Sequence, residues 1–217
     1  MSLLRYKSLQ PVHLFLLIIF SAICSAQEWY GPSLKISNKT ADTTQNIQTL
    51  RYLLVYYQRL SESEPQLWVP YYYQSYIHYK LALDSSLSED KSEHLKKAYL
   101  TVTLCIKSFE HNIEVKALYI LIANECLRSV IIENSIENHN LIRKAIDTTS
   151  ENPRMLIAQT MYFLSEPINN RDSLLGIKSR LTVFYNNASK TFSGNEYSPS
   201  WGIAEIEYLL DELEKLQ

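Results

Sequence analysis

Apolar side chains recur at helical spacing along most of this chain, and strand-like alternation is not evident. The cleanest run is Leu95, Ala98, Val102, Cys105 and Phe109, which steps by three or four residues and so marks one face of a helix. Similar runs predict eight helices and no strand, close to residues 42–61, 67–83, 92–109, 113–132, 135–149, 153–164, 173–192 and 203–213.

The helix predicted over Leu67–Leu83 is the most aromatic of these. Its predicted inner face carries Trp68, Tyr72, Tyr76, Tyr79 and Leu83. Few of its positions are strongly polar, so neighbouring elements must cover most of its circumference. Aromatic rings bury large areas, and we predict that these tyrosines are core. A ligand-binding aromatic patch is the alternative.

Residues 1–26 have the pattern of a signal peptide. Arg5 and Lys7 precede a mostly apolar run over residues 12–23, which is shorter than the roughly 20 residues of a membrane span. Small residues at 24–26 then favour cleavage after Ala26. Cys24 is a possible lipid anchor, but bulky Ile23 stands where lipidation favours a small residue. We expect an exported protein, periplasmic or secreted, with no transmembrane segment after signal removal.

The rest of the chain is predicted to be one folded domain. Residues 27–41 show no regular spacing of apolar residues, which predicts an irregular lead-in. Residues 42–217 are predicted to form a single helical-repeat domain. Only four glycines occur among 217 residues. Phosphate and dinucleotide loops need glycine, so this scarcity favours helices joined by short polar loops.

Charge and cysteine placement narrow the expected partners and crosslinks. The formal net charge is −2 and there is no basic block, so no nucleic-acid partner is expected. Cys105 and Cys126 fall on two helices predicted to be antiparallel, with Cys126 opposite about residue 96. Their offset along the helices exceeds disulfide reach, so we predict two buried free thiols.

Three stretches carry helix-start signals. Residues 42–45 have capping-box spacing, and Asn152-Pro153 combines a capping residue with a proline suited to the first turn. Ser198-Pro199 directs the chain into the last helix. We predict that Trp201 is a buried anchor that packs near Tyr162 and Phe184.

No set of residues predicts catalysis. The histidines His78, His94, His111 and His139 are isolated in sequence, without the close spacing of a helical metal pair. Nucleophile-elbow, phosphate-loop and dinucleotide motifs are not found. We expect no enzyme activity, no metal and no cofactor.

Helix pairs recur at the spacing of helical solenoids. The helix starts near Pro65, Asn112 and Asn152-Pro153 are about 47 and 40 residues apart. These spacings lie within the roughly 34 to 47 residues that one unit of a helical solenoid spans. The segment from Arg143 through Asn152-Pro153-Arg154 resembles the junction between two tetratricopeptide units. The predicted fold is all-α, a tetratricopeptide-like α-solenoid of about three helix pairs with flanking N- and C-terminal helices.

A wider resemblance covers nearly the whole chain after residue 26. It is carried, in order, by residues 67–73 (LWVPYYY), by Asn152-Pro153-Arg154, and by residues 198–202 (SPSWG) before an acidic last helix. The chain resembles exported tetratricopeptide-like proteins of Gram-negative, Bacteroidetes-type cell envelopes. The resemblance implies architecture and compartment and carries over no catalytic residue. The glycine-rich loop of that family is replaced here by residues 167–171, which contain no glycine.

Two functions are compatible with these patterns. In the first, the protein is an envelope scaffold whose polar residues meet a protein or peptide partner. The candidate contact residues are Tyr71, Gln74, His78, Asn124 and Gln159, and the predicted structural anchors are Trp68, Tyr72, Tyr76, Pro153 and Trp201. In the second, a tyrosine-lined groove between the first two helix pairs binds a glycan or lipid.

Overall fold

The computed structural model of the protein describes residues 31–84, 90–147, 149–166, 171–187 and 199–215. The chain divides into two compact units, residues 1–37 and residues 38–217. The predicted signal peptide, residues 1–26, lies outside the described residues. The described part of the first unit, residues 31–37, is helical.

The described residues of the second unit form α-helices and contain no strand, as the sequence predicted. Its first helical residues are 38–43, which we call α1. Residues 31–41 are thus helical throughout, whereas an irregular lead-in was predicted over 27–41. The other helices are α2 (Ile47–Ser63), α3 (Trp68–Leu83), α4 (Lys91–Ser108), α5 (Ile113–Arg128), α6 (Ile136–Ala145), α7 (Pro153–Ser165), α8 (Arg171–Asn186) and α9 (Ile203–Lys215). None of them is long and apolar enough to cross a membrane.

Asparagine side chains begin three of these helices. The amide oxygen of Asn152 accepts hydrogen bonds from the backbone N–H groups of Arg154 and Met155, with Pro153 in the first turn, as predicted. Asn112 caps α5 in the same way. The capping box predicted at residues 42–45 is wrong, because Asn46 caps α2 by accepting from the Thr49 N–H at 2.9 Å. Asp42 instead lies near the end of α1.

The aromatic helix α3 is buried around most of its circumference. Ten of its residues are buried: Val69, Pro70, Tyr72, Tyr73, Ser75, Tyr76, Ile77, Tyr79, Leu81 and Ala82. Leu83, which the periodicity placed on the inner face, is half exposed. The tyrosine rings contact one another, and Tyr73 stacks on Tyr57 of α2 with ring centroids 5.1 Å apart. The predicted aromatic core is therefore confirmed.

Helices α3, α5 and α7 form a row, and the other helices lie beside it. Helix α5 packs against α3, α4 and α7, and α9 packs against α8 and, less extensively, α7. In the same unit α2 and α4 cover α3, while α6 and α8 lie against α5 and α7. This order positions the inner faces of α3, α5 and α7 next to one another.

Cys105 and Cys126 are buried free thiols, as the sequence predicted. The Cys126 thiol lies 3.8 Å from the Leu95 carbonyl oxygen, next to the residue that the antiparallel pairing predicted. The Cys105 thiol points to the Trp68 carbonyl oxygen on α3. Burial raises the pKa of each thiol to about 12.

Candidate functional site

A groove runs along the row of α3, α5 and α7. It consists of two adjoining cavities of about 540 Å³ and 430 Å³, which share the lining residues Tyr79, Leu121 and Met161. These three residues come from α3, α5 and α7, and α9 forms the opposite wall. We call this feature the central groove.

The floor of the central groove is apolar because α5 and α7 are apolar on most of their faces. Tyr79 and Leu121 are buried, and Leu164 and Leu209 line the same cavity as Leu121. Helices that pack on several sides need apolar residues all round. The sequence shows that α5 and α7 are apolar on most faces, but it does not show where the packed helices leave a groove between them.

One polar residue of the floor joins two helices. The Asn124 side chain donates from Nδ2 to the Met161 carbonyl oxygen at 3.4 Å, and its Oδ1 accepts from the Ser165 hydroxyl at 2.7 Å. Asn124 was a predicted contact residue and does line the central groove. Because its amide bonds to residues of α7, Asn124 holds α5 and α7 together at the floor of the groove.

Acidic side chains outnumber basic ones around the central groove. The acidic residues are Asp42, Asp84, Glu125, Glu205 and Glu212, and the basic ones are Lys80 and Arg128. Lys80 donates from Nζ to the backbone oxygens of Ala41, Asp42 and Thr44, at 2.9, 3.3 and 2.7 Å. These are carbonyls at the C-terminal end of α1, where a cation is favourable. Arg128 pairs with Glu125 at 3.3 Å.

Asp42 ties α1 to the segment that leads into α9. Its Oδ2 accepts from the Ser200 N–H and hydroxyl, both at 2.7 Å, and from the Tyr73 hydroxyl at 3.2 Å. Its Oδ1 is buried and has no hydrogen-bond partner among the described residues. Burial raises the pKa of Asp42 to about 6, against the lowering effect of those hydrogen bonds.

Trp201 lines the larger cavity of the central groove. Its ring stacks on Tyr76 with centroids 5.4 Å apart, and its indole N–H donates to the Tyr72 hydroxyl at 2.8 Å. The predicted partners Tyr162 and Phe184 are therefore wrong, and the indole packs on α3 instead. Gly202 follows at φ 129°, a backbone conformation that favours glycine.

A buried ion pair holds the helix starts together behind Trp201. The Arg154 guanidinium donates to both carboxylate oxygens of Glu114, and also to the Trp201 carbonyl oxygen at 3.2 Å. Asn152 donates to the same carboxylate at 2.6 Å. The starts of α5 and α7 and the segment before α9 are thus joined at one point. The sequence did not predict that Glu114 is buried in an ion pair, because a glutamate in the first turn of a helix is usually exposed to solvent.

Three predicted contact residues face α2 and α4 and do not line the central groove. Tyr71 donates to the Ser61 carbonyl oxygen at 3.3 Å, and Gln74 donates to the Ser61 hydroxyl at 2.9 Å. The Nδ1 atoms of His78 and His94 are 2.9 Å apart. Burial, followed by the neighbouring His94, lowers the pKa of His78 to about 4. Burial also lowers the pKa of His94, so at pH 7 both rings are neutral and one Nδ1–H donates to the other Nδ1.

The fifth predicted contact residue, Gln159, is buried on α7. Its Oε1 has no hydrogen-bond partner among the described residues, and the residue does not line either cavity. The structure therefore does not bring the five predicted contact residues together. The predicted anchors Tyr72, Tyr76, Pro153 and Trp201 are buried, and Trp68 is half-buried with its ring edge-on to Tyr72.

A second polar cluster joins α6 to the end of α7. His139 lies 2.8 Å from a Glu166 carboxylate oxygen through Nδ1 and 2.7 Å from the Asn134 amide oxygen through Nε2. The Tyr162 hydroxyl donates to Glu166 at 2.6 Å. Burial raises the pKa of Tyr162, so its hydroxyl remains a donor. Arg143 completes the cluster by pairing with Glu166.

Within the described ranges, no group of three or more histidine, cysteine, aspartate or glutamate side chains is arranged to hold a metal ion. No protein-family model, curated protein or solved structure matches this chain significantly.

Proposed function

We propose that this protein is an exported, non-enzymatic helical-repeat scaffold, which binds a protein or peptide partner along its central groove. The observation that carries the proposal is that one groove crosses the inner faces of three successive odd-numbered helices, marked by Tyr79, Leu121 and Met161. Helical-repeat proteins use such extended inner surfaces for binding.

The packing order supports a tetratricopeptide-like solenoid with the pairs α3/α4, α5/α6 and α7/α8. Helices α3, α5 and α7 begin at Trp68, Ile113 and Pro153, spacings within the range of helical repeats. Each packs on the next, and the even-numbered helices lie beside them. In this arrangement α1 and α2 flank one end, and α9 flanks the other.

A structural role for the groove's polar side chains favours binding over catalysis. Lys80 is held by three backbone carbonyls, Asn124 bridges two helices, and Arg128 pairs with Glu125. Groups engaged in this way shape a surface and are not poised to attack or transfer a proton.

The envelope compartment belongs to the same proposal. Residues 1–26 would be removed after Ala26, and the remaining chain would act in the periplasm or outside the cell. N-terminal sequencing of the exported protein checks this directly. A first residue at Gln27 is expected, whereas a blocked, lipid-bearing Cys24 would indicate a membrane-anchored form.

The cavity sizes also suit a second candidate function, the binding of a small glycan or lipid. Ligand pockets commonly measure about 300–1,000 Å³, and the two cavities of about 540 Å³ and 430 Å³ lie within that range. Tyr79 and Tyr208 would offer ring surface and hydroxyl groups to such a ligand.

Site-specific photocrosslinking distinguishes these candidates. A photoreactive amino acid at Tyr208, which lines the groove and is 57% exposed, is compared with one at Leu100, which is 63% exposed on α4 outside it. We expect a discrete protein adduct from position 208 that is absent from position 100. Leu83→Trp, which fills the groove from a half-exposed position, should abolish it. An adduct with the mass of a glycan or lipid would favour the second function.

A further inference from the structure

We infer that the segment bound in the central groove is an extended peptide rich in lysine or arginine. This inference rests on the proposed function and specifies its partner chemistry. It depends on two features of the groove: the sign of the charge along its walls and the apolar floor between them.

The charge of the lining residues is negative. Asp42, Asp84, Glu125, Glu205 and Glu212 line the groove, and the basic residues there are Lys80 and Arg128. Both cations have partners within the protein, Lys80 on carbonyl oxygens of α1 and its following turn, and Arg128 on Glu125. Glu125 also pairs with Lys91, and Glu212 pairs with Lys215, so the excess of negative charge lies mainly at the larger cavity, which Asp42, Asp84 and Glu205 line. An acidic segment would meet a wall of like charge, and a basic one would meet opposite charge.

The apolar floor suits the long stems of basic side chains. Tyr79, Leu121 and Met161 run across three helices between the acidic residues. Successive side chains of an extended peptide point to opposite sides, so alternate positions can face the floor while the others reach the rim. Lysine and arginine also cover apolar surface with their methylene groups while their charged heads stay at the wall.

Asp42 contributes negative charge to the wall of the larger cavity. Its Oδ2 accepts from Ser200 and Tyr73, but its buried Oδ1 has no partner among the described residues. Glu205 lines the same cavity, so both carboxylates would attract an ammonium or guanidinium head there.

The test uses three matched peptide mixtures of about eight residues, long enough to extend across several helices. Leu, Tyr and Val are mixed at alternate positions, and the remaining positions are all Lys, all Gln or all Glu. Binding to the chain that begins at Gln27 is followed by fluorescence anisotropy, at about 50 mM and about 300 mM salt because screening weakens exposed ion pairs. We expect the Lys mixture to bind about tenfold or more tightly than the Gln mixture, since a few ion pairs of up to about 1 kcal/mol each suffice.

Charge-matched variants locate the effect. Glu205→Lys with Glu212→Lys reverses two groove charges, and Glu93→Lys with Glu110→Lys reverses two exposed charges outside it. The first pair should remove the preference for the Lys mixture, and the second should leave it. Equal losses from both pairs would show a general charge effect and overturn the inference.

The two proposals fail in different ways. If the Gln or Glu mixture binds as tightly as the Lys mixture and Leu83→Trp blocks it, the groove binds peptides and only the inferred chemistry is wrong. If no mixture binds at low salt, the peptide-binding function and the inference both fail.

Discussion

The Arg154 guanidinium donates two hydrogen bonds to the Glu114 carboxylate, from Nε to Oε2 and from Nη2 to Oε1 at 2.8 Å, and both residues are buried in the first turns of α7 and α5. Because Arg154 also donates to the Trp201 carbonyl oxygen, this one pair connects three parts of the second unit. The pair therefore fixes how the wall formed by α9 meets the groove floor.

Removing one partner of this pair should destabilise the protein strongly. Glu114→Gln leaves the buried arginine without its counter-charge, and such losses cost about 3–5 kcal/mol. The free energy of unfolding from urea denaturation measures the effect. Lys97→Ala is the control, because the Lys97–Glu93 pair is solvent-exposed on both sides and such pairs contribute at most about 1 kcal/mol. Similar small losses from both variants would show that the buried pair does not hold the helix starts.

Trp201 is expected to be the main contact that holds the last helix. Trp201→Ala removes the stacking on Tyr76 and the bond to the Tyr72 hydroxyl, and truncating a buried tryptophan costs about 3–5 kcal/mol. Trp201→Phe, which keeps a ring against Tyr76, should cost less. Tyr208→Ala on the same helix is the control and should change the denaturation midpoint little, since Tyr208 is mostly exposed. Equal effects at 201 and 208 would contradict the anchor role.

His78 should make the protein less stable in mild acid. Burial, followed by the neighbouring His94, lowers its pKa from 6.5 to about 4, so between these pH values the unfolded chain binds a proton that the folded chain does not. The free energy of unfolding should therefore fall as pH drops from 6.5 to 4, by up to about 3 kcal/mol.

The measurement for this prediction is the difference between wild type and His78→Leu in urea denaturation at pH 7, 5.5 and 4.5. Asp42 titrates in the same range with the opposite sign, because its pKa is raised, and it cancels in that difference. His111→Asn is the control, since His111 is exposed in the turn between α4 and α5. A pH dependence unchanged in His78→Leu would rule out this histidine as its source.

The end of α5 contains a site where glycine should stabilise the protein. Val130 has φ 56°, and the Ile131 N–H donates to the Cys126 carbonyl oxygen at 2.8 Å, the geometry of a Schellman turn. A β-branched residue is strained in this region, and Val130 is 84% exposed, so little packing would be lost. Val130→Gly should raise the free energy of unfolding by about 1 kcal/mol. Val130→Ala, which keeps the unfavourable Cβ, should gain less; a loss with Gly would contradict the strain.

The two thiols should react only when the protein unfolds. Burial raises the pKa of Cys105 and Cys126 to about 12, so neither is a thiolate at pH 7. In a chain that begins at Gln27, titration with a thiol reagent should be slow in buffer and should find both thiols in denaturant without reductant. Fast labelling of either cysteine in the folded protein would show that its helix interface opens.

The sequence by itself determined the helices and most of the core. The spacing of apolar residues and the capping of helix ends both depend on residues within one helix. Asn152 and Pro153 therefore predicted the start of α7 correctly. The apolar runs likewise predicted that α3 is a buried aromatic helix. The thiols of Cys105 and Cys126 could also be placed, because two consecutive antiparallel helices have a simple register. The helical residues 31–41 were missed because that segment has no clear apolar period.

Only the tertiary structure decided what lies across the helix row. Trp201 contacts Tyr76, and Asp42 accepts from Ser200, across separations in sequence that no helical period relates. Gln74 and His78 look like exposed polar residues in a helical pattern, but α2 and α4 cover that side of α3. The groove exists because α3, α5, α7 and α9 do not fill the space between them. A gap of that kind depends on the relative placement of whole helices, which local periodicity does not encode.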